Sequence, residues 1–242
     1  MTHSTKDSPS PPRPLESSDP TSSPPILQPS NLHLSPQPKE KCLTIRDSKI
    51  RIRSFCTPED IRRYTFDRQF GTHAQYKSLY TKKESLEKNA RQKKANVTLA
   101  LEGDNIIGFG VLNEPDSGER WLNLGPGLMM EVKAIEVSRK FRSGGIAGAI
   151  LGCLVDSVFV EDIIVYMVGY SWTWDLDGTE NSALDYRNML IRLFEPFGFQ
   201  ELQTNEPNIC LKPENLFMAR VGRHLSEGDR KAFKWLRFGV TP

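Results

Sequence analysis

Hydrophobic and polar positions along this chain change period several times, and each change marks an element. Residues 43–55 alternate around Asp47-Ser48, which predicts a hairpin with one wet, Arg/Lys-bearing face. Thr57-Pro58-Glu59-Asp60 reads as a helix start, with a hydroxyl cap, a proline at the first helical position and carboxylates in the first turn. A second helix is expected over residues 73–94. Residues 96–101 and 106–112 flank Glu102-Gly103-Asp104-Asn105, a second hairpin signal. Met129–Val137 reads as a central strand, broken at Ser138-Arg139-Lys140 and followed by a Gly-rich turn and a buried helix to about Val158. Residues 163–170 are fully apolar, as a strand covered on both faces and parallel to its neighbour would be. Tyr170, Trp172 and Trp174 continue a period of two until Asp175-Leu176-Asp177-Gly178 breaks it. An amphipathic helix over 182–194, strands over 199–204 and 216–221, and a polar-start helix over 226–238 complete the order. This succession predicts an α/β (α+β) sandwich with a mixed, mostly antiparallel sheet flanked by helices.

Composition narrows the picture at one end. Residues 1–40 hold ten of the seventeen prolines and nine serines with almost no apolar periodicity, so that stretch is expected to be a disordered tail. The folded domain is then residues 41–242. The tail carries neither a signal-peptide pattern nor the arginine content of a transit peptide. A net charge of +2 gives no reason to expect nucleic acid, although residues 82–94 form a locally basic stretch. Cys42, Cys56, Cys153 and Cys210 lack C-x-x-C spacing and histidine neighbours, which argues against zinc or a disulfide framework and suits a cytoplasmic setting. The longest apolar run, residues 145–155, is too short to span a bilayer.

The candidate chemistry lies in that Gly-rich turn. A strand, a glycine turn and a helix start leave backbone N–H groups free to receive a diphosphate. No Lys-Ser or Lys-Thr follows the glycines, which excludes a Walker loop, and the spacing does not fit G-x-G-x-x-G. Arg142, Gly145 and Ala147 instead match R/Q-x-x-G-x-G/A, which resembles the pyrophosphate turn of the GNAT acyl-CoA-dependent acyltransferases.

Within that superfamily the chain resembles the acetoin utilization protein A acetyltransferases. The carriers are residues 131–137 with Phe141-Arg142-Ser143-Gly144-Gly145-Ile146, the block Tyr170-Ser171-Trp172-Thr173-Trp174-Asp175-Leu176-Asp177-Gly178, and Asp185-Tyr186-Arg187. Thr204-Asn205-Glu206-Pro207 and the ending Met218-Ala219-Arg220-Val221-Gly222 extend the likeness to about residues 42–240. The resemblance implies a GNAT-like fold and a lysine acetyltransferase using acetyl-CoA without a metal. Its implied partner is an acetyl-CoA synthetase-like protein, with no nucleic acid or membrane.

Roles follow residue by residue. Arg142, Ser143, Gly144, Gly145, Ile146, Ala147 and Gly148 would hold the diphosphate, and the backbone of Ile135 and Val137 would pair with the pantetheine arm. Glu131 sits where several GNAT lysine acetyltransferases place a glutamate base; Glu136 is the second candidate, and a regular strand would point the two to opposite faces. Many relatives carry a tyrosine acid four residues before a late Gly-Phe pair. Here Phe194 stands there, so Tyr186 or Tyr170 would substitute. Trp172 and Trp174 read as core walls or an acceptor-lysine channel, and Asp175 as a lure for the cationic lysine or a loop cap. A catalytically silent acyl-CoA-binding regulator and a small-amine acetyltransferase remain the alternatives.

Overall fold

The computed structural model describes residues 1, 38–72 and 80–240. Residues 2–37 of the Pro/Ser-rich stretch expected to be a tail, and residues 73–79 of the expected second helix, lie outside them; Glu40, assigned to that tail, begins the first strand. In chain order the elements are β1 (Glu40–Ile45), β2 (Ser48–Arg53), α1 (Pro58–Arg63), β3 (Thr65–Phe66), α2 (Gln69–Thr72) and α3 (Lys83–Ala90). Next come β4 (Asn96–Glu102), β5 (Asn105–Asn113), β6 (Met129–Val137), α4 (Ile146–Val155) and β7 (Ile164–Gly169). The chain closes with α5 (Ala183–Phe194), β8 (Gln200–Glu201), α6 (Pro207–Cys210), β9 (Leu216–Val221) and α7 (Glu227–Leu236).

One sheet runs in the order β1-β2-β4-β5-β6-β7-β9-β8, with β3 paired to β5 off that path. Every neighbouring pair is antiparallel except β3/β5 and β6/β7. This is the mixed, mostly antiparallel sheet expected from the sequence. The β1/β2 turn places Arg46 and Asp47 at φ 46° and 67°, the left-handed pair whose twist matches a hairpin. Thr57 closes a full capping box on α1: its hydroxyl accepts from Asp60 N at 3.1 Å, and Asp60 Oδ2 accepts from Thr57 N at 3.0 Å.

Three expectations shift. Residues 170–174 do not stay extended, because a 3-10 turn at Ser171–Thr173 interrupts them. The strand expected over 199–204 is only Gln200–Glu201, opposite Ala219 and Met218 of β9; by Asn205 the backbone N–H donates to Arg237 O at 3.2 Å instead. The basic stretch is helical over Lys83–Ala90, where Lys83 Nζ donates to the carbonyls of Arg62 and Tyr64 at 3.1 and 3.0 Å.

Both sheet faces are covered. Helix α4 buries Ile146, Ile150, Leu151 and Leu154 against Ile52, Ile107, Met130 and Val165. On the other face Ile61 and Leu86 pack with Leu99, Phe109 and Val111, and Phe233 and Leu236 of α7 pack with Trp121, Tyr166 and Phe217. Each such buried side chain contributes about 1.5–3 kcal/mol. The approach of α4 to β5 depends on Gly110, where a Cβ would lie 2.5 Å from Ile150 Cγ2 and 2.8 Å from Leu154 Cδ1. Gly110→Ala is therefore expected to destabilise the protein by about 1–3 kcal/mol through overpacking, read as a lower denaturant midpoint.

Candidate active site

The parallel strands at the centre part company. Met129, Met130 and Glu131 pair with Ile164, Val165 and Tyr166, and the pairing ends there. Beyond it a cavity of about 770 Å³ opens between residues 132–137 of β6 and residues 167–169 of β7. Its far wall is the Gly-rich turn and the start of α4. Ile135, Val137, Arg142, Ser143, Gly145, Ile146, Ala147 and Gly148 all line it. Gly144 does not; a Cβ there would lie 2.7 Å from Ile45 Cγ2, so this glycine seats the turn against β1.

The turn shapes a donor array. Ser143 and Gly145 take φ 66° and 78°, left-handed values that suit glycine and strain serine. Gly145 caps α4 without a side-chain hydrogen bond, and the first intrahelical bond runs from Ala149 N to Gly145 O at 3.0 Å. The N–H groups of Ile146, Ala147 and Gly148 precede that bond, so they have no acceptor within the helix.

A clasp fixes this turn. Arg142 Nε donates to Val137 O at 3.0 Å, and its Nη1 meets Asp175 Oδ2 at 2.8 Å. Arg139 grips the same carboxylate through Nε at 2.8 Å and through a second bond from Nη2. The Asp175 side chain is only 3% exposed. Burial pushes its carboxyl upward, but hydrogen bonds from Arg139 and Arg142 and their charges outweigh this and hold it below its ordinary value. Gly178 is required beneath the clasp, because a Cβ would lie 2.2 Å from both Arg139 Nε and Asp175 Oδ2. Asp175 is thus committed to two arginines, not exposed as a lure for a lysine.

The 3-10 turn also separates the tryptophans. Trp174 lines the cavity and stacks on Tyr186 with ring centroids 5.0 Å apart. Trp172 does not line it; it is 43% exposed and stacks on Tyr170 at 4.6 Å, with Lys212 over its ring at 5.2 Å. Tyr186 lines the cavity, and burial raises its phenol. Tyr170 is raised to about 12 by burial and then by the Glu206 charge. Phe194, at the position where a tyrosine acid is expected, also lines the cavity.

Glu131 stands at the apex where the strands part, paired with Tyr166 at the last rung; it does not itself line the cavity, whereas its neighbours Val132 and Lys133 do. The β5/β6 register shifts here: Val111 opposes Ala134 and Leu112 opposes Val132, leaving Lys133 as the extra residue of a bulge. The bulge reverses the expected alternation. Met129, two positions before Glu131, packs in the cluster with Tyr166, while Glu136 opposes Phe109 of the α3-side cluster. Glu131 and Glu136 therefore share the face opposite α4. Glu136 lines the cavity.

Around Glu131 the structure assembles groups that spacing did not reveal. Lys133 Nζ lies 3.2 Å from Glu131 Oε2 and 2.8 Å from Asp116 Oδ1. Tyr166 donates its hydroxyl to Glu119 Oε2 at 2.9 Å. Burial pushes the Glu131 carboxyl up to about 7, with Glu119 and Asp116 adding to the rise against the lowering effect of Lys133. Burial alone would depress Lys133, yet Glu131 and Asp116 overcome that and hold it cationic. The His224 ring lies 3.1 Å from Asp162. Among the described residues no group of three His, Cys, Asp or Glu is arranged for a metal, and no helix is long and apolar enough to cross a membrane.

Comparison with known proteins converges on one relationship. The chain is 28% identical over 182 residues to the acetoin utilization protein AcuA of Bacillus subtilis (strain 168), across 75% of this chain and 85% of that one. AcuA of Bacillus licheniformis matches with the same identity and coverage. The crystal structure of an acetoin utilization protein from Exiguobacterium sibiricum superposes with a TM-score of 0.77 at 26% identity, over 84% of this chain and 95% of that one. No protein-family model matches.

Proposed function

From this homology to the AcuA proteins, and from the opening between β6 and β7, we propose that the chain is an acetyl-CoA-dependent N-acetyltransferase. Its acceptor is a lysine of a metabolic enzyme of the acetyl-CoA synthetase kind. The observation that carries this reading is the continuity of one cavity from the α4 N-terminus, along the free edge of β6, to the residues beside Glu131.

The residues present fit such a donor. The N–H groups of Ile146, Ala147 and Gly148, with the turn at Ser143 and Gly145, would bind the diphosphate. Each charge-assisted bond is worth about 1.5–3 kcal/mol, and the helix dipole adds about 0.3–1 kcal/mol. The edge of β6 around Ile135 and Val137 would hold the pantetheine arm like an added strand and aim the thioester carbonyl. Arg142 splints the turn from beneath.

The remaining task is deprotonation. A free lysine amine at pH 7 costs about 4.6 kcal/mol to neutralise. Glu131, raised to about 7, is matched to accept that proton at neutral pH. The neutral amine then attacks the carbonyl carbon, the C–N bond forms as the C–S bond breaks, and the amine's second proton leaves with the thiolate as thiol. Tyr186, raised and on the cavity wall, is the candidate to relay that proton, giving its own to the thiolate and taking the amine's in return.

Phe194 in place of a tyrosine favours one competing reading, a silent acyl-CoA-binding regulator. Titration calorimetry with acetyl-CoA beside a thiol-release assay separates the two: binding with release upon addition of an acetyl-CoA synthetase supports the enzyme, and binding without release supports the regulator. Gly145→Ala is expected to weaken acetyl-CoA binding by about tenfold. A Cβ at φ 78° has no steric neighbour within 4 Å but costs about 1–2 kcal/mol of backbone strain, enough to turn the amides away.

A further inference from the structure

We propose that Lys133 is itself an acetylation site, modified by the active site of its own chain; this rests on the acetyl-transfer reading above. Three observations converge on it. Lys133 is the extra residue of the β5/β6 bulge, so its side chain leaves the alternation that its neighbours obey. Its ammonium rests 3.2 Å from the Glu131 carboxylate, where an incoming acceptor amine would have to sit to be deprotonated. It also lines the cavity that runs to the α4 N-terminus, while its side chain is only 7% exposed.

Such a lysine is shielded from other enzymes yet open to a thioester held inside. The groups around its amine are Glu131 and Asp116, with Glu119 and Tyr166 beyond them. In the step, the Lys133 ammonium gives one proton to Glu131, and the neutral nitrogen attacks the thioester carbonyl. The N–C bond forms and the C–S bond breaks. The second nitrogen proton accompanies the departing thiolate, giving CoA thiol and N-acetyl-Lys133. The neutral amide no longer pairs with Glu131, so the modification would free the base and place an acetyl group at the apex. The bland alternative makes Lys133 a fixed counter-ion for Glu131.

Peptide mass spectrometry of the full chain after incubation with isotopically labelled acetyl-CoA, without any acceptor protein, decides between them. The expected result is label on Lys133 well ahead of the exposed Lys82 and Lys93, falling about a hundredfold or more in Glu131→Gln. Lys133→Arg should lose this label; because a buried substitution can unfold the chain, mapping of the unmutated protein stands alone as the deciding measurement. If calorimetry shows acetyl-CoA binding and an acceptor protein is turned over while Lys133 stays unlabelled, the inference fails and the enzymatic reading survives. If neither binding nor turnover occurs, both fail together.

Discussion

Glu131→Gln is expected to lower kcat/KM for the acceptor by about a hundredfold to ten-thousandfold while leaving acetyl-CoA affinity nearly unchanged. Glutamine keeps the shape of the side chain but cannot take a proton. The pH profile should change with it. In the unmutated protein Glu131 is pushed up to about 7, chiefly by burial. Below that value it is protonated and cannot act as base, so kcat/KM should fall about tenfold per pH unit and level off above it. In the variant this step disappears, and the residual rate follows only the free-amine fraction toward the lysine value of about 10.4. A Glu131→Gln enzyme of full activity across the pH range would sink the assignment. Glu136 on the same face would then be the group to test.

Asp175→Asn is the second large effect, and it acts on stability. Two guanidinium groups, on Arg139 and Arg142, converge on a carboxylate that is 3% exposed. Removing its charge leaves both cations in partly buried positions, at a cost of about 3 kcal/mol. For a domain of this size that corresponds to roughly 6–12 °C in Tm. The sign with pH follows from the depressed carboxyl. Its contribution is present above the ordinary value of 3.8 and is lost as pH falls through the lower folded value. The variant and the unmutated protein should therefore converge in thermal stability in strong acid and separate at neutral pH. Asp177→Asn, two residues away and exposed, serves as the control and should stay within about 0.5 kcal/mol. Because Arg142 also anchors the turn through Val137 O, Asp175→Asn should weaken acetyl-CoA binding as well.

Local chemistry was readable at the helix starts, where a residue acts through its immediate neighbours. Thr57 and Asp60 form a capping box because both partners lie within one turn. Ser182 and Ser226 cap α5 and α7 by accepting from Asp185 N and Asp229 N for the same reason. The extended run at Met129–Val137 and the apolar strand parallel to it follow from period and burial. What spacing could not carry was pairing across distance. Arg139 and Asp175 stand 36 positions apart, and Lys133 and Asp116 meet only because β5 and β6 lie side by side. The 3-10 turn at Ser171–Thr173, which sends Trp172 and Trp174 to different surroundings, opens with a Thr173 N bond to Tyr170 O that alternation alone does not foresee.

The sequence by itself determined most of the longer elements, their order and the Gly-rich turn before α4, since these depend on propensity, capping and patterning within a few residues. The tertiary structure alone decided three things. It parted β6 from β7 beyond Glu131, and it turned Glu131 and Glu136 to one face through the bulge at Lys133. It also gathered Asp116, Glu119 and Tyr166 around a carboxyl that burial raises. Register and desolvation are properties of packed strands, and no window of sequence contains them.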